Sequence, residues 1–403
     1  MAAPPFRGHA MPLLRVAQEL SARGYAVTFV SYAPAAAWVD DLKGVSVVRL
    51  TLPFSTQVLK EHRKALAAEH GSSFDFAAAV YAQLYSSMFR GLEFVVSEQE
   101  PDVIFCDVTA VAAVDVAHRH NIPVVVNVPS LMLPLDTPPS WMPAWGSGMR
   151  ISTSLWDRTY NALMPRVVDM LSFSAVAVLN AERAHQGLLP MSSLKDLLMG
   201  TRVLMNTVLG FEHPPSWIPP HVEFSGPLFP PPEEPQVGFD EGLATWLWDQ
   251  AFGDAVAVYV RLGSMHILDR SAIDLISRVR CFFCVSAVIA LTPPPASSPG
   301  ANNVQTSCRV GPVRGRLSPH TKASRQKVFR HADDQGAPLS GVCVKNNNPL
   351  LASPRVDVVL SHCGHGMAME VLAHGKPLVC LPWGLDQPDV AARVVDHGVG
   401  VAL

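Results

Sequence analysis

The sequence Val356-Asp-Val-Val-Leu-Ser-His362-Cys-Gly364-His-Gly366 decides the fold of the C-terminal part of the chain. Its apolar start, Val356 to Leu360, is typical of a buried strand, and the glycine-containing turn that follows opens a helix with apolar periodicity. Glu370 lies in the early turns of that helix. A second strand, Leu378 to Leu381, runs into Pro382-Trp-Gly-Leu-Asp386-Gln387. The pattern is therefore strand, turn, helix and strand, as in a parallel α/β sheet.

This arrangement suits a ligand that carries both phosphate and sugar. The N–H groups at a helix N-terminus bind phosphate, glycine permits close approach, and His362 adds a neutral or cationic donor. Glu370, Asp386 and Gln387 follow strands, and open α/β sheets display functional groups at the carboxyl ends of their strands. Carboxylate and amide groups bind sugar hydroxyls, so the stretch predicts a nucleotide-sugar site.

Composition and charge narrow the class of protein. With 403 residues and 49% apolar content, the chain can bury two cores of ordinary size, so we expect two domains. A net charge of −3 with dispersed Lys and Arg gives no electrostatic reason to bind nucleic acid. No apolar run approaches the roughly twenty residues that span a bilayer, and the N-terminus lacks a signal pattern. We therefore predict a cytoplasmic protein without a transmembrane segment, whose seven cysteines are reduced thiols.

The first half of the chain alternates helices and strands in the manner of a doubly wound sheet. The predicted strands are Ala26–Val30, Val45–Leu50, Asp102–Cys106 and Pro123–Val128, and helices are predicted around residues 13–20, 74–96 and 109–119. A proline-rich passage, Gly226 to Pro235, cannot continue either element and indicates an extended linker. The predicted domains are residues 1–225 and 241–403, with a linker over 226–240.

The second half begins with a helix near Leu243 to Trp248 and a strand, Ala255 to Leu262, that closes on Gly263-Ser264. Backbone amides and a hydroxyl at that turn suit a phosphate. From about residue 280 to 348 the chain is rich in Pro and Asn and loses its periodicity. We therefore predict a disordered insert over 280–348, with order resuming at Leu350.

His9 and Asp107 are the first candidates for catalysis. His9 lies in Pro5-Phe-Arg-Gly8-His9-Ala-Met-Pro12, just before a predicted helix whose dipole should disfavour protonation and keep the imidazole available as a base. Asp107 follows the strand that ends at Cys106. A carboxylate on the far nitrogen of a histidine fixes its tautomer and stabilises the imidazolium. The alternative is that each residue merely caps a helix.

Other motif interpretations fail on detail. Gly364-His-Gly366 lacks the third glycine of a dinucleotide fingerprint, because Met369 occupies that position. Cys281 and Cys284 have metal-ligand spacing, but no second pair follows at the spacing of a zinc site. Neither a nucleophile elbow nor a phosphate loop of the Walker type is present. Hydrolase and ATPase functions are therefore set aside.

In this order, Gly-His-x-x-Pro, the Asp at a strand end, His-x-Gly, Glu370 and Asp386-Gln387 resemble the family 1, UDP-dependent glycosyltransferases. The resemblance covers roughly residues 4–278 and 350–403. It implies the GT-B fold, in which two Rossmann-like domains with parallel sheets face each other. It also implies an inverting transfer of a hexose, glucose foremost, from a UDP-sugar to a hydroxyl acceptor, with no metal or cofactor beyond that co-substrate.

The same resemblance implies the role of each site residue. His9 is the base and Asp107 its partner, and both belong to the acceptor-binding domain. Glu370 holds the ribose, while Asp386 and Gln387 hold the hexose. The remaining donor-binding residues, placed around the diphosphate, are Gly263, Ser264, His362, Gly364, Gly366 and Met367. The Pro-, Met- and Trp-rich stretch from residue 131 to 151 indicates a small apolar acceptor.

The chain also departs from the family pattern. Val344 and Asn347 stand where plant members place a Trp and a Gln against the uracil. In the family a first strand precedes the Gly8-His9 loop and closing helices follow Gly400, so the resemblance implies that this chain is truncated at both ends and lacks the C-terminal helix. Two alternatives stay open. The chain could be a catalytically inactive, truncated paralogue that binds only nucleotide or acceptor. It could also be a sugar-nucleotide epimerase, because GT-B folds serve such enzymes as well.

Overall fold

The computed structural model describes residues 1–40, 42–53, 73–132, 138–151, 154–214, 217–229, 257–261, 286–290, 310–312, 327–329 and 349–403. The chain forms two compact units. The first contains Met1–Phe229 together with Gly384–Asp389, and the second contains Pro230–Trp383 and Val390–Leu403. The boundary after Phe229 falls within the stretch 226–240, where the sequence predicts a linker.

The strands of the first unit are parallel. They are β1 (Val27–Tyr32), β2 (Val45–Leu50), β3 (Ile104–Asp107), β4 (Val124–Val128), β5 (Arg202–Met205) and β6 (Val222–Phe224). β1 pairs with β2, and β3 to β6 pair in chain order. All four residues of β3 are buried, in keeping with a sheet covered on both faces.

The first residues of the chain join these two groups of strands. Ala2 forms parallel bridges to Val30 of β1 and to Cys106 of β3, and it is fully buried. Its N–H donates to the carbonyl of Phe105, and its carbonyl accepts from the N–H of Asp107. The sheet order is therefore β2, β1, the segment around Ala2, β3, β4, β5 and β6. The place that the family gives to a first strand is held by this segment.

The described helices of the first unit are α1 (Arg7–Ala22), α2 (Ala33–Ala36), α3 (Ser73–Gln99), α4 (Val111–Arg119) and α5 (Leu155–His185). α1 is amphipathic, and its buried face consists of Ala10, Leu13, Leu14 and Ala17. α5 begins at Ser154, whose hydroxyl accepts the N–H of Asp157 as an N-cap. α3 packs against α4 and α5 and completes the main core of this unit.

The second unit has a five-stranded parallel sheet in the order β13, β12, β11, β7, β8. These strands are β7 (Ala257–Arg261), β8 (Ser286–Ala290), β11 (Val358–Ser361), β12 (Leu378–Cys380) and β13 (Gly400–Ala402). Among the described residues of this unit the helices are α6 (Pro349–Ala352), α7 (His365–Ala373) and α8 (Gln387–Asp396), the last of which begins in the segment that groups with the first unit. The α/β class with parallel sheets is confirmed.

Two expectations about the second unit are wrong. Within the predicted insert, β8 pairs with β7, and a hairpin forms from β9 (Val310–Pro312) and β10 (Lys327–Phe329). The apolar run from residue 287 to 290 is typical of a strand, but the surrounding Pro and Asn content obscured it. The other residues of 280–348 lie outside the described residues.

The second correction concerns the cysteines. Cys363 and Cys380 form a disulfide between the ends of β11 and β12, with Cα atoms 5.4 Å apart. The two residues are 17 positions apart in sequence, and only the parallel pairing of their strands brings them together. Cys106 is a buried free thiol, as expected. The other four cysteines lie outside the described residues.

The sequence also predicts that no helix spans a membrane. Among the helices that the structure describes, none combines the length and the apolar character that crossing a bilayer requires.

Candidate active site

His9 and Asp107 lie in direct contact in the first unit. Nδ1 of His9 is 3.0 Å from Oδ1 and 3.1 Å from Oδ2 of Asp107. The carboxylate is fully buried, whereas 30% of the His9 side chain is exposed. A carboxylate only accepts hydrogen bonds, so Nδ1 carries the proton and Nε2 of the neutral ring is free to act as a base.

The sheet order explains why residues so distant in sequence meet. After the segment around Ala2 the chain builds β1 and β2 on one side, and then returns to place β3 on the other. Such a reversal leaves a crevice at the carboxyl ends of the two central strands, where α/β proteins bind ligands. His9, the third residue of α1, and Asp107, the last residue of β3, lie at this crevice. The sequence placed His9 just before the helix, whereas the helix already begins at Arg7.

Further hydrogen bonds hold the Asp107 carboxylate in place. Oδ1 accepts the N–H of Thr109 at 2.9 Å and also the Thr109 hydroxyl. The N–H of Asp107 donates to the carbonyl of Ala2. Asp107 is therefore fixed from both sides, and it in turn fixes the orientation of the His9 ring.

The pKa of His9 is raised above its usual value. Burial lowers it, but the charge and hydrogen bond of Asp107, together with the charge of Asp386, outweigh that effect. The net shift in the pKa of His9 is therefore opposite to the one expected from the helix dipole, because the two carboxylates outweigh the effect of burial. Asp386 enters this balance because the turn Gly384–Asp389 groups with the first unit.

A loop contact positions that turn. The Asp389 carboxylate, in a side chain that is 4% exposed, accepts the N–H groups of Gly146 and Gly148, the latter at 2.8 Å. Both glycines have positive φ, and a Cβ on Gly148 would lie 2.8 Å from Cβ of Pro388. The contact fixes the turn that carries Asp386 and Gln387. Sequence reasoning missed Asp389, and the paired glycines at 146 and 148 are the signal that could have indicated a close backbone approach.

In the second unit, the turn after β11 carries the predicted phosphate ligands. Gly364 is the N-cap of α7, and Gly366 and Met367 lie in the first turn of that helix. A Cβ on Gly364 would lie 2.6 Å from Nε2 of His362, so the imidazole lies directly over the helix N-terminus. Ser361 stabilises the turn because its hydroxyl accepts the N–H of Cys363, which has a φ of 57°. The arrangement offers backbone N–H groups and one imidazole to an anion.

Glu370, which the sequence predicts to bind ribose, forms an ion pair with Arg261. Oε2 of Glu370 is 3.0 Å from Nη1 of Arg261, and their side chains are 22% and 25% exposed. Sequence reasoning missed Arg261, although its position directly before Leu262-Gly263-Ser264 was a usable signal. Gly263 and Ser264 themselves lie outside the described residues.

Within the part of the chain that the structure describes, no group of three or more His, Cys, Asp or Glu residues has the arrangement of a metal site.

In comparisons with known proteins, the chain is similar to glycosyltransferases. The family model for UDP-glucoronosyl and UDP-glucosyl transferases matches residues 344–403. The chain is 25% identical to UDP-glycosyltransferase stmC of Aspergillus ustus, over 98% of this chain and 74% of that protein. It is 24% identical to 4'-demethylrebeccamycin synthase of Lentzea aerocolonigenes, over 100% of this chain and 86% of that protein.

Among solved structures, the glycotransferase of kitacinnamycin aligns with a TM-score of 0.65 at 20% identity, covering 100% of this chain and 85% of that one. At this level of identity the structural likeness bears on the fold, and it confirms the predicted GT-B architecture.

Proposed function

We propose, from its similarity to UDP-dependent glycosyltransferases, that the chain is such an enzyme and transfers glucose from UDP-glucose to a hydroxyl of a small apolar acceptor with inversion. The observation that supports a transferase best is the His9–Asp107 pair at the crevice of the first unit. A non-catalytic helix cap needs neither a buried carboxylate on Nδ1 nor an accessible Nε2.

The proposed reaction begins with the acceptor. Nε2 of His9 takes the proton of the acceptor hydroxyl while its oxygen attacks the anomeric carbon from the face opposite the diphosphate. The bond from that carbon to the diphosphate oxygen breaks, and its electron pair leaves with UDP. Asp107 stabilises the imidazolium that forms, so the proton transfer occurs without separating unpaired charges.

The donor residues have complementary roles in the proposal. The N-terminus of α7 and His362 stabilise the charge that develops on the departing diphosphate, with Gly263 and Ser264 assigned to the same task. Glu370 binds the ribose, and Asp386 with Gln387 binds the hexose hydroxyls. No metal is required, because backbone dipoles and the imidazole supply the stabilisation.

The nature of the acceptor rests on the described part of the loop from residue 131 to 151. Leu131 and Ala144 are buried, while Trp141, Met142 and Pro143 are partly exposed. Ala144 donates its N–H to Asn161 of α5 at 3.0 Å, which holds this apolar segment to the first unit. An apolar surface with few polar groups favours a phenolic, terpenoid or sterol hydroxyl over a sugar or peptide.

A direct assay tests the function. Incubating the protein with several UDP-sugars and a panel of phenolic, terpenoid and sterol acceptors should give a product heavier by one hexose, seen by mass spectrometry. UDP should raise the melting temperature, because a ligand that binds the native state stabilises it. A melting temperature that UDP does not change would favour the inactive paralogue, and UDP stabilisation without any transfer would leave only a binding role.

A second prediction concerns Gly364. Gly364→Ala should weaken UDP binding by roughly fivefold, because the new methyl group displaces the His362 imidazole and one hydrogen bond is worth about 1 kcal/mol. Gly364 has a φ of −59°, so alanine adds no backbone strain. Calorimetric titration of UDP into the variant measures the effect.

The matched control is the same change in a His362→Ala background. Once the imidazole is absent, the methyl group has nothing to displace, so Gly364→Ala should add little further loss. Equal losses in both backgrounds would contradict a role for His362 in this contact.

A further inference from the structure

Arg261 is a charged residue that the proposed function leaves without a role. It is the last residue of β7, and it lies level with Ser361 of β11 in the parallel register. The five strands of this sheet end in Arg261, Ala290, Ser361, Cys380 and Ala402. Arg261 is the one charged residue among these strand ends.

Arg261 lies at the carboxyl end of its strand, where open α/β sheets generally bind ligands. β8 extends the sheet on one side of β7, and β11 to β13 extend it on the other. The change of direction between β7 and β11 leaves a crevice at their carboxyl ends. The turn with His362 and Gly364 leaves β11 at that crevice, and Gly263-Ser264 follows Arg261 in sequence.

The ion pair with Glu370 holds the Arg261 guanidinium through one of its nitrogen atoms. The contact joins Nη1 to one carboxylate oxygen at 3.0 Å. Guanidinium has five N–H donors, and about a quarter of the Arg261 side chain is exposed. Burial lowers the pKa of Arg261, but Tyr259 and Glu370 outweigh it and the pKa is raised, so the group stays cationic.

We propose that Arg261 binds the diphosphate of the nucleotide donor, with Glu370 orienting the guanidinium between phosphate and ribose. This inference rests on the proposed function and adds a residue to the same site. The glycine turn supplies neutral N–H dipoles, whereas a diphosphate carries at least two negative charges. Arginine matches phosphate with a fork of N–H donors, so it adds a positive counter-charge to these dipoles.

The test compares UDP with uridine, which differ only in the diphosphate. Titration calorimetry on the full chain gives both dissociation constants and therefore their ratio. In Arg261→Met the preference for UDP over uridine should fall roughly 10- to 100-fold, as expected for loss of a charge-assisted hydrogen bond to phosphate. Arg261→Lys should keep part of the preference, because it retains the charge without the fork.

Three controls separate this role from a structural one. Arg23→Met removes an equal charge from an exposed i,i+4 pair with Glu19, and it should leave the ratio unchanged. Glu370→Gln should weaken uridine as well as UDP, because Glu370 acts on the ribose, and it should weaken UDP somewhat more, because Glu370 also orients the Arg261 guanidinium. The salt dependence of UDP binding should be weaker in Arg261→Met than in the parent protein.

Two outcomes overturn the inference. If Arg261→Met weakens UDP and uridine equally, Arg261 serves only to hold Glu370. If the ratio and salt dependence do not change, Arg261 has no contact with phosphate. Arg261→Gln gives the same comparison should the methionine variant fail to fold. A parent protein that binds no UDP would refute the proposed function itself, and that titration is made first.

Discussion

Replacing His9 with alanine is expected to lower the transfer rate by roughly 10²- to 10⁴-fold, the contribution typical of a positioned general base. The imidazole is the group whose Nε2 can take the acceptor proton while Asp107 holds Nδ1 at 3.0 Å. UDP binding should stay close to that of the parent protein, because the phosphate and ribose ligands lie on other residues. Initial rates with saturating donor, together with calorimetric UDP titration, measure both quantities.

The pH dependence provides an independent test of the same residue. His9 acts as a base only when neutral, and its pKa is raised by Asp107 and Asp386. Transfer should therefore rise with pH through that elevated pKa and level off above it. Asp107→Asn removes a charge that raises the pKa, so the rise should move to lower pH while the plateau rate falls.

These results would contradict the assignment in distinct ways. Full activity in His9→Ala would exclude His9 as the base. An Asp107→Asn profile that keeps its midpoint would mean that Asp107 does not control the His9 proton. Loss of UDP binding in His9→Ala would indicate a disturbed fold, and the melting temperature of the variant distinguishes that case.

The sequence predicted much of the fold because local patterns were strong. Val45–Leu50 is a strand with the predicted bounds, and Pro123–Val128 is displaced by one residue at its start. Short strands such as β6, with three residues, carry too little periodicity to be recognised. β8 was missed because a window dominated by Pro and Asn obscured four consecutive apolar residues. The order of residues in the sequence indicates which segments form helices and strands, but it does not indicate which strands are neighbours in the sheet.

The candidate site shows the same limit. The motif order indicated His9 and Asp107, and sheet topology then accounts for their contact. The order of the motifs did not indicate which other residues the site residues contact. Arg261 meets Glu370 across 109 positions, and Asp389 meets Gly148 across 241. Such contacts depend on which strand ends are adjacent, so they required the tertiary structure.

The second large effect is expected at a buried charge cluster in the first unit. The Asp115 carboxylate in α4 accepts the Tyr85 hydroxyl at 2.7 Å and pairs with Arg183 of α5. The side chain of Asp115 is 5% exposed, and that of Arg183 is 12% exposed. Arg183→Met should destabilise the protein by roughly 3–5 kcal/mol at neutral pH, because it leaves a buried carboxylate without its counter-charge. Urea unfolding followed by circular dichroism measures the change.

The expected pH dependence follows from the direction of the Asp115 shift. Burial raises the pKa of Asp115, while Tyr85 and Arg183 lower it, and the balance is a pKa above the usual value. For a raised carboxyl pKa, the stabilising contribution is complete below the unfolded pKa and is lost as pH rises through the native one. Removing Arg183 raises the native pKa further. The deficit of Arg183→Met should therefore shrink as pH falls from neutral toward about 4.

Two further variants decide whether the uncompensated charge is the cause. Asp115→Asn in the Arg183→Met background removes the charge and keeps an acceptor for Tyr85, so it should recover most of the lost stability. Arg202→Met, which breaks an exposed pair with Glu223, should change stability little, because exposed pairs contribute little. A deficit that is independent of pH and is not recovered by Asp115→Asn would assign the effect to the lost guanidinium hydrogen bonds to the Leu189 carbonyl, because these bonds are absent in both variants while methionine keeps an apolar stem of similar length.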